Sequence, residues 1–460
     1  MENGNKYGIQ TPESCYTILK TLWANGFPSY LVGGCVRDAL MGNTPHDYDI
    51  ATQATPEEVI NLFDETIPTG IEYGTVTVLI GDDSYEITTF RSEQDYNYGR
   101  KPTIVNFSDT IEKDLSRRDF TINAIAYDPI HDIVVDSYGG FNDIQTQTLR
   151  TVGQADERFL EDPLRILRGY RFAIKYHLNI EDRTKNSMLH FLPLIKNLSN
   201  ERINSELNKI LSLNLNLENV ETLWHMFCEV FPILKETKNF NQKNPHHKLT
   251  LDKHIMETIA NANIAIERLP EEFKRNVNPS EVRLALLLHD IGKLYTQSFD
   301  ENNIAHYYGH AEQGAQLAEI MLINRKFPIK TVQNVTYLIK HHQMTFPKNR
   351  KGTIKVLNKR GMINVSNILA MQYADKISHV SHDCGEINAV INKVLEVSKE
   401  PVVEFTLKDL AINGNDVMRV TGFTGKKIGD ALQMCFEAIL DDTIENERDE
   451  LLKFLKTIHF

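Results

Sequence analysis

Between residues 30 and 150 the apolar positions come in short alternating or continuous runs. Residues 30–32, 75–80 and 85–90 read as strands, and Gly and Asp turns separate them. This pattern predicts an α+β region with a mixed sheet over residues 1–150. From Pro163 onward the spacing becomes helical, as in residues 164–176, 202–213 and 282–288, and convincing strands are few. The polar, Pro-containing stretch NFNQKNPHH, residues 239–247, reads as a linker. A weaker break falls near residues 398–401, ahead of a final helical segment punctuated by Gly414, Gly422 and Gly425. The expected organisation is therefore an α+β head over 1–150, all-α segments over 151–245 and 246–390, and a helical tail over 391–460. No internal repeat or low-complexity tract is visible.

Composition narrows the class. A chain of 460 residues with 41% apolar content has material for several packed units. Its five cysteines (Cys15, Cys35, Cys228, Cys384, Cys435) are far apart and include no CxxC pair, which argues against a disulfide framework and fits a reducing cytoplasm. No basic segment followed by an apolar run opens the sequence, and no stretch approaches the roughly 18 apolar residues of a membrane span. The net charge of −12 is unusual for a protein that grips phosphates. Total charge does not set local potential, however: arginines cluster at 117–118 and 165–171, while acids gather near the C-terminus, so a basic groove on an acidic body is compatible with the composition.

The densest chemistry lies in LVGGCVRDALMG, residues 31–42, followed by HDYDIAT, residues 46–52. A strand running into the Gly33-Gly34 turn and then a helix lets backbone N–H groups approach a phosphate, and Arg37 follows one turn into that helix. Asp47 and Asp49 are spaced i, i+2, so on a strand both carboxylates share a face. Two hard oxygen ligands side by side suit Mg²⁺ held jointly by the protein and a triphosphate. Glu86, in YEITTFR, is the candidate third carboxylate from a neighbouring strand. A Gly-Gly pair alone is usually a plain turn, and a lone Asp-x-Asp is usually solvated. Their conjunction with Arg37 in one short stretch is much more specific.

Six motifs then occur in a characteristic order: GGCVRDALMG, HDYDIAT, RRDFTINA (117–124), GGFNDI (139–144), EDPLRILRGYRF (161–172) and ERINSEL (201–207). Over about residues 20–215 the chain resembles the class II tRNA nucleotidyltransferases of the tRNA nucleotidyltransferase/poly(A) polymerase family. The resemblance implies a polymerase-β-like nucleotidyltransferase head followed by an all-α neck and body. It also implies that Gly34, Arg37, Asp47, Asp49, Arg118, Asp162, Arg165, Arg168 and Arg171 line a nucleotide site, and that tRNA, CTP and ATP are the partners. Cys35 stands where a small residue is usual and reads as packing. Residues 90–107, polar and turn-rich, fall where the family carries a flexible loop associated with adding the final A; an ordinary surface loop is the alternative.

Physical chemistry of the EDPLRILRGYR segment points the same way. Pro163 suits the first turn of a helix. Arg165, Arg168 and Arg171 recur at i, i+3, and so drift by about sixty degrees per step along one face. Such a stripe is often a solvated or ion-paired face, but a phosphate-binding head immediately upstream favours an anion site. Arg118 reads likewise, with Arg117 as a surface or ion-pair partner. Asp162 and Arg165 suggest how bases are chosen without a template. Cytosine and adenine each present an amino donor beside an unprotonated ring nitrogen, whereas uracil and guanine present a carbonyl beside an N–H. An Asp accepting from the amino group and an Arg donating to the ring nitrogen match C and A.

A second constellation comprises His254, His289-Asp290 in LALLLHDIGK, His310 in YYGHAE, His342 in IKHHQ and Asp375 in YADKIS, with His341 and His247 as alternatives. Imidazoles and carboxylates gathered from several helices suit a divalent or transition metal, a second metal beside Mg²⁺. The HDIGK string with these flanking residues resembles the HD phosphohydrolase superfamily, which assigns residues 246–390 to an HD domain. Beyond residue 400, FTLKDLAINGNDVMRVTGFTGKKIGDAL resembles the helical tail of the nucleotidyltransferase family, where Lys426 and Lys427 are either phosphate contacts or simply exposed.

The sequence thus predicts two-metal CCA addition to tRNA with release of pyrophosphate. A poly(A) polymerase or CC-adding enzyme on the same head is the rival. From other classes come an HD metal-dependent phosphohydrolase with an RNA-binding head, against which Asp47 and Asp49 argue because a head that only binds has little need of them, and a non-enzymatic RNA-binding protein, which incorporation of labelled CMP discriminates.

Overall fold

The computed structural model describes residues 6–94, 104–244, 249–347, 349–379, 384–399, 407–440 and 443–458. The chain folds as two compact units, residues 1–213 with 222–232, and residues 214–221 with 233–460.

In the first unit a mixed sheet carries the α+β pattern. Its strands are β1 (Ser29–Val32), β2 (Asp49–Thr52), β3 (Thr66–Gly70), β4 (Thr75–Ile80) and β5 (Asp83–Thr89). A separate hairpin, β6 (Arg91–Gln94) and β7 (Ile104–Phe107), precedes β8 (Ala126–Asp128) and β9 (Ile133–Val135). The order in the main sheet is β3-β4-β5-β2-β1-β8-β9. Strand β2 runs antiparallel to β1 and parallel to β5, which sets Asp49 opposite Val32 on one side and Glu86 on the other.

Both faces of this sheet are covered, so the strands read as continuous apolar runs rather than simple alternations. Leu31, Ile50, Val76 and Ile87 pack on one face, where the helix Glu13–Ala24 buries Cys15, Ile18, Leu19 and Leu22 at helical spacing. Their chain neighbours Val32 and Ala51 point to the other face, with Phe90, Leu115 and Ala126. The sheet is thereby fixed in register, and with it the position of Asp49. Asp47, however, lies before the first residue of β2, so the expectation that both aspartates sit on one strand face holds only for Asp49.

The helices that follow carry the arginine motifs. Leu164–Lys175 buries Ile166, Leu167, Tyr170, Phe172 and Ile174, and Asn200–Leu211 lies alongside it. Pro163 stands at the N-cap of the first.

The second unit is helical. Leu251–Arg268, Pro279–Leu288, His310–Asn324, Ile329–His341 and Arg350–Ile377 surround a dense apolar interior. The last of these is broken at Gly361, whose φ of 73° no helix accommodates. A smaller core around Val417, Ala431, Cys435, Leu451 and Leu455 holds the final three helices, and Lys426 and Lys427 are exposed at the start of one of them. The polar stretch expected to be a linker is instead docked over its described part, 239–244. Gln242 is 1% exposed, accepts from Lys293 Nζ through its side chain and from the Tyr307 hydroxyl through its carbonyl. Polar composition signalled a loop but not that its amides would be satisfied inside the unit.

Two candidate functional sites

In the first unit the Gly33-Gly34 turn joins β1 to the helix Gly34–Leu40. Gly33 has φ 72°, and a Cβ there would come within 3.0 Å of Arg118 Nη1, so the turn needs glycine for its backbone and for its neighbour. The turn borders a cavity of about 510 Å³ lined by six arginines (37, 117, 118, 165, 168, 202) and three aspartates (49, 119, 162), with Asn123, Leu164 and Phe172. A local surplus of positive charge therefore exists on a chain of net charge −12.

Each arginine is held in place. Arg37, 6% exposed, donates to Asp38, Asn123 and the Tyr176 hydroxyl and lies over the Tyr176 ring at 4.5 Å. It is a buried brace of the cavity wall rather than the open phosphate arm that its place in the motif suggested. Arg117 and Arg118 share the buried carboxylate of Asp114, whose acidity they raise against the cost of its burial. Arg168 gives its Nε to Asp119 at 2.7 Å. Burial pushes the Asp119 carboxyl up, but Arg168 and a hydrogen bond from Asn123 outweigh it and bring the pKa to about 2. Phe172 is a platform, with Arg37, Arg168 and Arg171 all over its ring.

Asp49 faces the opposite situation. Its pKa is raised, first by desolvation and then by the carboxylates of Glu86 and Asp47, against the opposing charge of Arg118. Glu86, its partner across the parallel ladder, is exposed, as is Asp47. Three acids that repel one another around one point are a natural seat for a divalent cation.

Gly33, Gly34, Arg37, Asp49, Arg118, Asp162, Arg165 and Arg168 thus gather at one cavity, while Asp47, Glu86 and Arg171 lie outside its lining. Arg171 is instead paired with Glu206 at 2.6 Å. Asp162 and Arg165 are also committed: Asp162 accepts from Leu164 N–H and pairs with Arg202 at 2.7 Å, and Arg165 donates to Glu161 and to the Arg117 carbonyl. The open Asp/Arg edge anticipated from the sequence is therefore already partnered, and reading a base there requires an exchange of partners. Asp114, Asp119, Asn123, Tyr176, Arg202 and Glu206 escaped sequence reasoning because nothing in their local pattern says which arginine each will meet. Cys35 is 2% exposed, and burial pushes its thiol up to about 11, so it packs and does not react. Within 90–107 the hairpin flanks residues 95–103, which lie outside the described residues.

The second site is imidazole-rich. His254, His289, Asp290, His310 and His342 are at most 5% exposed and converge with Asp375. His289, His310 and His342 each direct Nδ1 to a backbone carbonyl, of Leu286, Tyr307 and Ile339, which turns Nε2 toward the cluster. His289 Nε2 and His310 Nε2 are buried and make no hydrogen bond. Burial lowers the pKa of His289 and takes that of His342 to about 4, keeping those lone pairs available. His254 is pulled down by burial but carried up to about 9 by Asp290 and Asp375, so a proton there offsets the two carboxylates. Gly292 of the HDIGK string lets the next helix close in, for a Cβ there would collide with the His310 carbonyl. His379, one turn beyond Asp375, joins the cluster at 3.4 Å and was missed although the i, i+4 spacing was readable. His341 bonds the Tyr337 carbonyl and belongs to none of the ligand groups, and His247 lies outside the described residues.

Comparison with known proteins places these sites in context. The Poly A polymerase head domain family matches residues 29–150, and the HD domain family matches 251–379. The family described as the probable RNA and SrmB-binding site of polymerase A matches 177–236, and tRNA nucleotidyltransferase domain 2 (putative) matches 317–455. A CCA-adding enzyme of Staphylococcus saprophyticus is 31% identical over 450 residues, 97% of this chain and 98% of that one. One from Enterococcus faecalis is 44% identical over 224 residues, 48% of this chain and 54% of that one. The crystal structure of the Bacillus stearothermophilus CCA-adding enzyme in complex with CTP superposes with a TM-score of 0.66 at 25% identity, covering 97% of each chain.

Proposed function

Because this chain belongs to the CCA-adding enzyme family, it is a tRNA nucleotidyltransferase that adds CCA to the 3′ end of tRNA from CTP and ATP, and we propose that the arginine-lined cavity is its one nucleotide site. The observation that carries this is the adjacency of opposite charges: six arginines and Asp49 line the cavity, and Glu86 is paired with Asp49 on the neighbouring strand.

Family membership implies a divalent metal. We assign Mg²⁺ to Asp47 and Asp49 with Glu86 beside them, and the mutual repulsion that raises the Asp49 pKa fits that role. A metal held by these carboxylates would supply a Lewis acid for the α-phosphate and would lower the pKa of the attacking 3′ hydroxyl. The protein's own residues do the rest. Arg118 and Arg168, fixed by Asp114 and Asp119, offer charge to the triphosphate at little reorganisation cost. Phe172 holds Arg37, Arg168 and Arg171 over its ring, and Asp162 with Arg165 reads the base after exchanging Arg202 and Glu161 for it. The 3′ hydroxyl releases its proton to solvent and its oxygen bonds to the α-phosphorus as the bond to the bridging α–β oxygen breaks, and pyrophosphate leaves.

We assign a separate metal to the buried histidine cluster of the second unit, with hydrolysis of a phosphate ester as its chemistry. In the described residues no helix is long and apolar enough to cross a membrane. Cys15, Cys35 and Cys435 are free thiols, which supports a reducing, cytoplasmic setting. Incubating the chain with tRNA lacking its CCA and each nucleotide in turn tests the assignment. A defined C-C-A extension is expected, and a long A tract would overturn it.

A further inference from the structure

Asn123 ends the short helical turn Thr121–Asn123 and is 7% exposed in the wall of the arginine-lined cavity. A buried side-chain amide carries an acceptor oxygen and a donor NH₂, and both ends need partners. Here the oxygen accepts from Arg37 Nη1 at 2.5 Å, and Nδ2 donates to Asp119 Oδ1 at 2.9 Å. Neither neighbour tolerates the reverse orientation. A guanidinium only donates, and the Asp119 carboxyl, titrating near 2, is ionised and only accepts. The backbone carbonyl of Asn123 accepts in turn from Arg118 Nη1 at 3.3 Å. One residue thereby touches three others of the cavity lining.

The amide joins elements that are far apart in the chain. Arg37 belongs to the helix that follows the Gly33-Gly34 turn, and Arg168 to the helix Leu164–Lys175. Asp119 Oδ2 takes Arg168 Nε at 2.7 Å, so an unbroken chain of hydrogen bonds runs from Arg37 through Asn123 and Asp119 to Arg168. Both guanidinium groups also lie over Phe172, at 5.3 and 5.2 Å from the ring centre, where two like charges repel. The alternation of cation, amide, carboxylate and cation holds them at a set separation. Only a side chain with an acceptor and a donor on adjoining atoms completes it. A carboxylate at this position would set two anions face to face, and an alanine would take the acceptor away from Arg37 Nη1.

Resting on the reading of this cavity as the nucleotide site, we infer that Asn123 is a positioning residue for nucleotide binding: its amide holds the Gly33-Gly34 turn and Arg168 in one frame, so that a triphosphate meets cations already spaced for it. The residue acts through its neighbours rather than by touching the nucleotide. Charge that is preset in this way costs no reorganisation when the ligand arrives. Asp162 and Arg165 stand outside the chain, held by Arg202 and Glu161, so the tie sets affinity for the nucleotides alike and leaves the choice of base to other groups.

The test is equilibrium binding of CTP, with Mg²⁺ and without tRNA, to the full chain and to four variants whose folding is followed by thermal unfolding. Asn123→Asp should weaken CTP by about tenfold or more, the scale of one hydrogen bond to a charged group, and ATP by the same factor. Combining Asn123→Asp with Asp119→Asn exchanges the amide and the carboxylate within the chain. The carboxylate then accepts from Arg37, while the amide donates to that carboxylate and accepts from Arg168, losing only the bond from the Phe120 N–H. This swap should return CTP affinity to within about threefold of the wild type, and Asp119→Asn alone should not. A role confined to filling space gives no such rescue, because Asn123→Asp already keeps the volume. A folded swap that binds CTP as weakly as Asn123→Asp overturns the proposal, since an Asn123 that contacts the nucleotide itself is not replaced by an amide at position 119. Arg168→Ala separates that failure from failure of the underlying reading: if the cavity is not the nucleotide site, Arg168→Ala and Asn123→Asp both leave CTP affinity unchanged. Should Asn123→Asp fail to fold, a folded swap that binds CTP is the rescue, and an unfolded swap overturns the tie.

Discussion

The two sites solve the problem of holding charge in opposite ways. Around the cavity of the first unit nearly every cation is already matched to an acid, as Arg118 is to Asp114, Arg168 to Asp119 and Arg202 to Asp162. The exposed carboxylates Asp47, Asp49 and Glu86 are left to repel one another. In the second unit the ligands are buried, two imidazole lone pairs have no partner, and the carboxylates rely on a protonated histidine and Lys293. The first arrangement suits a metal that arrives with a triphosphate and leaves with pyrophosphate. The second suits a resident metal. Placement of the carboxylates, at an open strand end or inside a helical core, decides between the two.

The sharpest way to break this contrast is Asp49→Ala. If Asp49 waits for a metal shared with substrate, its loss should lower single-turnover addition of both C and A by at least about a thousandfold, roughly 4 kcal/mol of transition-state stabilisation. Thermal stability should hold or rise, because the carboxylate is repelled by Glu86 and Asp47 in the folded chain. Retention of activity within tenfold, or a large loss of stability, would remove Asp49 from the role given to it.

Asp119→Ala tests the other half of the first site, where charge is fixed rather than waiting. Removing the acid strands Arg168, whose side chain is about a third exposed, so the cost should be about 1 to 3 kcal/mol, below that of breaking a fully buried pair. Chemical denaturation should show that loss. The same pair predicts an acid response. The folded carboxyl titrates near 2 and its ordinary value is 3.8, so its contribution is complete above about 3.8 and disappears as pH falls towards 2. Between those values the wild type should lose stability faster than Asp119→Ala. Parallel acid curves would show that the pair does not anchor the wall.

Two glycines sharpen the comparison by a smaller amount. A Cβ at Gly292 meets backbone, the His310 carbonyl, whereas one at Gly33 meets the movable end of Arg118. Gly292→Ala should therefore cost about 1 to 3 kcal/mol as the His310 helix is forced away, and should reduce metal retention in the second unit. Gly33→Ala meets only a side-chain end but must hold φ at 72°, so it should cost a comparable amount, about 1 to 3 kcal/mol, and weaken nucleotide affinity as well. Unchanged metal retention in Gly292→Ala would mean that the close approach at Gly292 does not build the second site.

How much of this was legible in the sequence depends on the range over which each feature is determined. The Gly33-Gly34 turn, the helix bearing Arg165 and Arg168, and the HD string are local, and their spacing was enough to name them. For Glu86 the local sequence offers a strand carboxylate, and it is strand pairing that sets it beside Asp49. Asp119 and Glu206 were unreadable as partners of Arg168 and Arg171, because those pairs span 49 and 35 positions and depend on tertiary packing. Charge patterning pointed to arginines for phosphate but could not show that Arg37 and Arg171 would be spent on Asn123, Tyr176 and Glu206. The docked stretch around Gln242 failed for the same reason, since a polar loop and a polar segment satisfied inside a core look alike in one dimension.

The finest expected effect separates fixed from exchangeable charge within the first site, at Asp162 and Arg165. Both are partnered, Asp162 by Arg202 and Arg165 by Glu161, yet Arg202 and the Asp162 side chain are about a third and a fifth exposed, so that pair can open at small cost. If Asp162 leaves Arg202 to accept from the amino group of C or A, Asp162→Ala should weaken discrimination against U and G by about 1 to 3 kcal/mol, the scale of one good base contact, with a lesser effect on the rate of C addition. Arg202→Ala, which only frees Asp162, should leave the preference for C and A in place and should not lower nucleotide affinity through that carboxylate. Arg165→Ala should resemble Asp162→Ala in selectivity but also loosen Glu161 and the wall near Arg117. Incorporation of all four nucleotides by these three variants decides the matter. Selectivity that survives Asp162→Ala and Arg165→Ala but fails in Arg202→Ala would mean that the Asp162–Arg202 pair is structural like Asp119–Arg168, and that the bases are read by another part of the cavity.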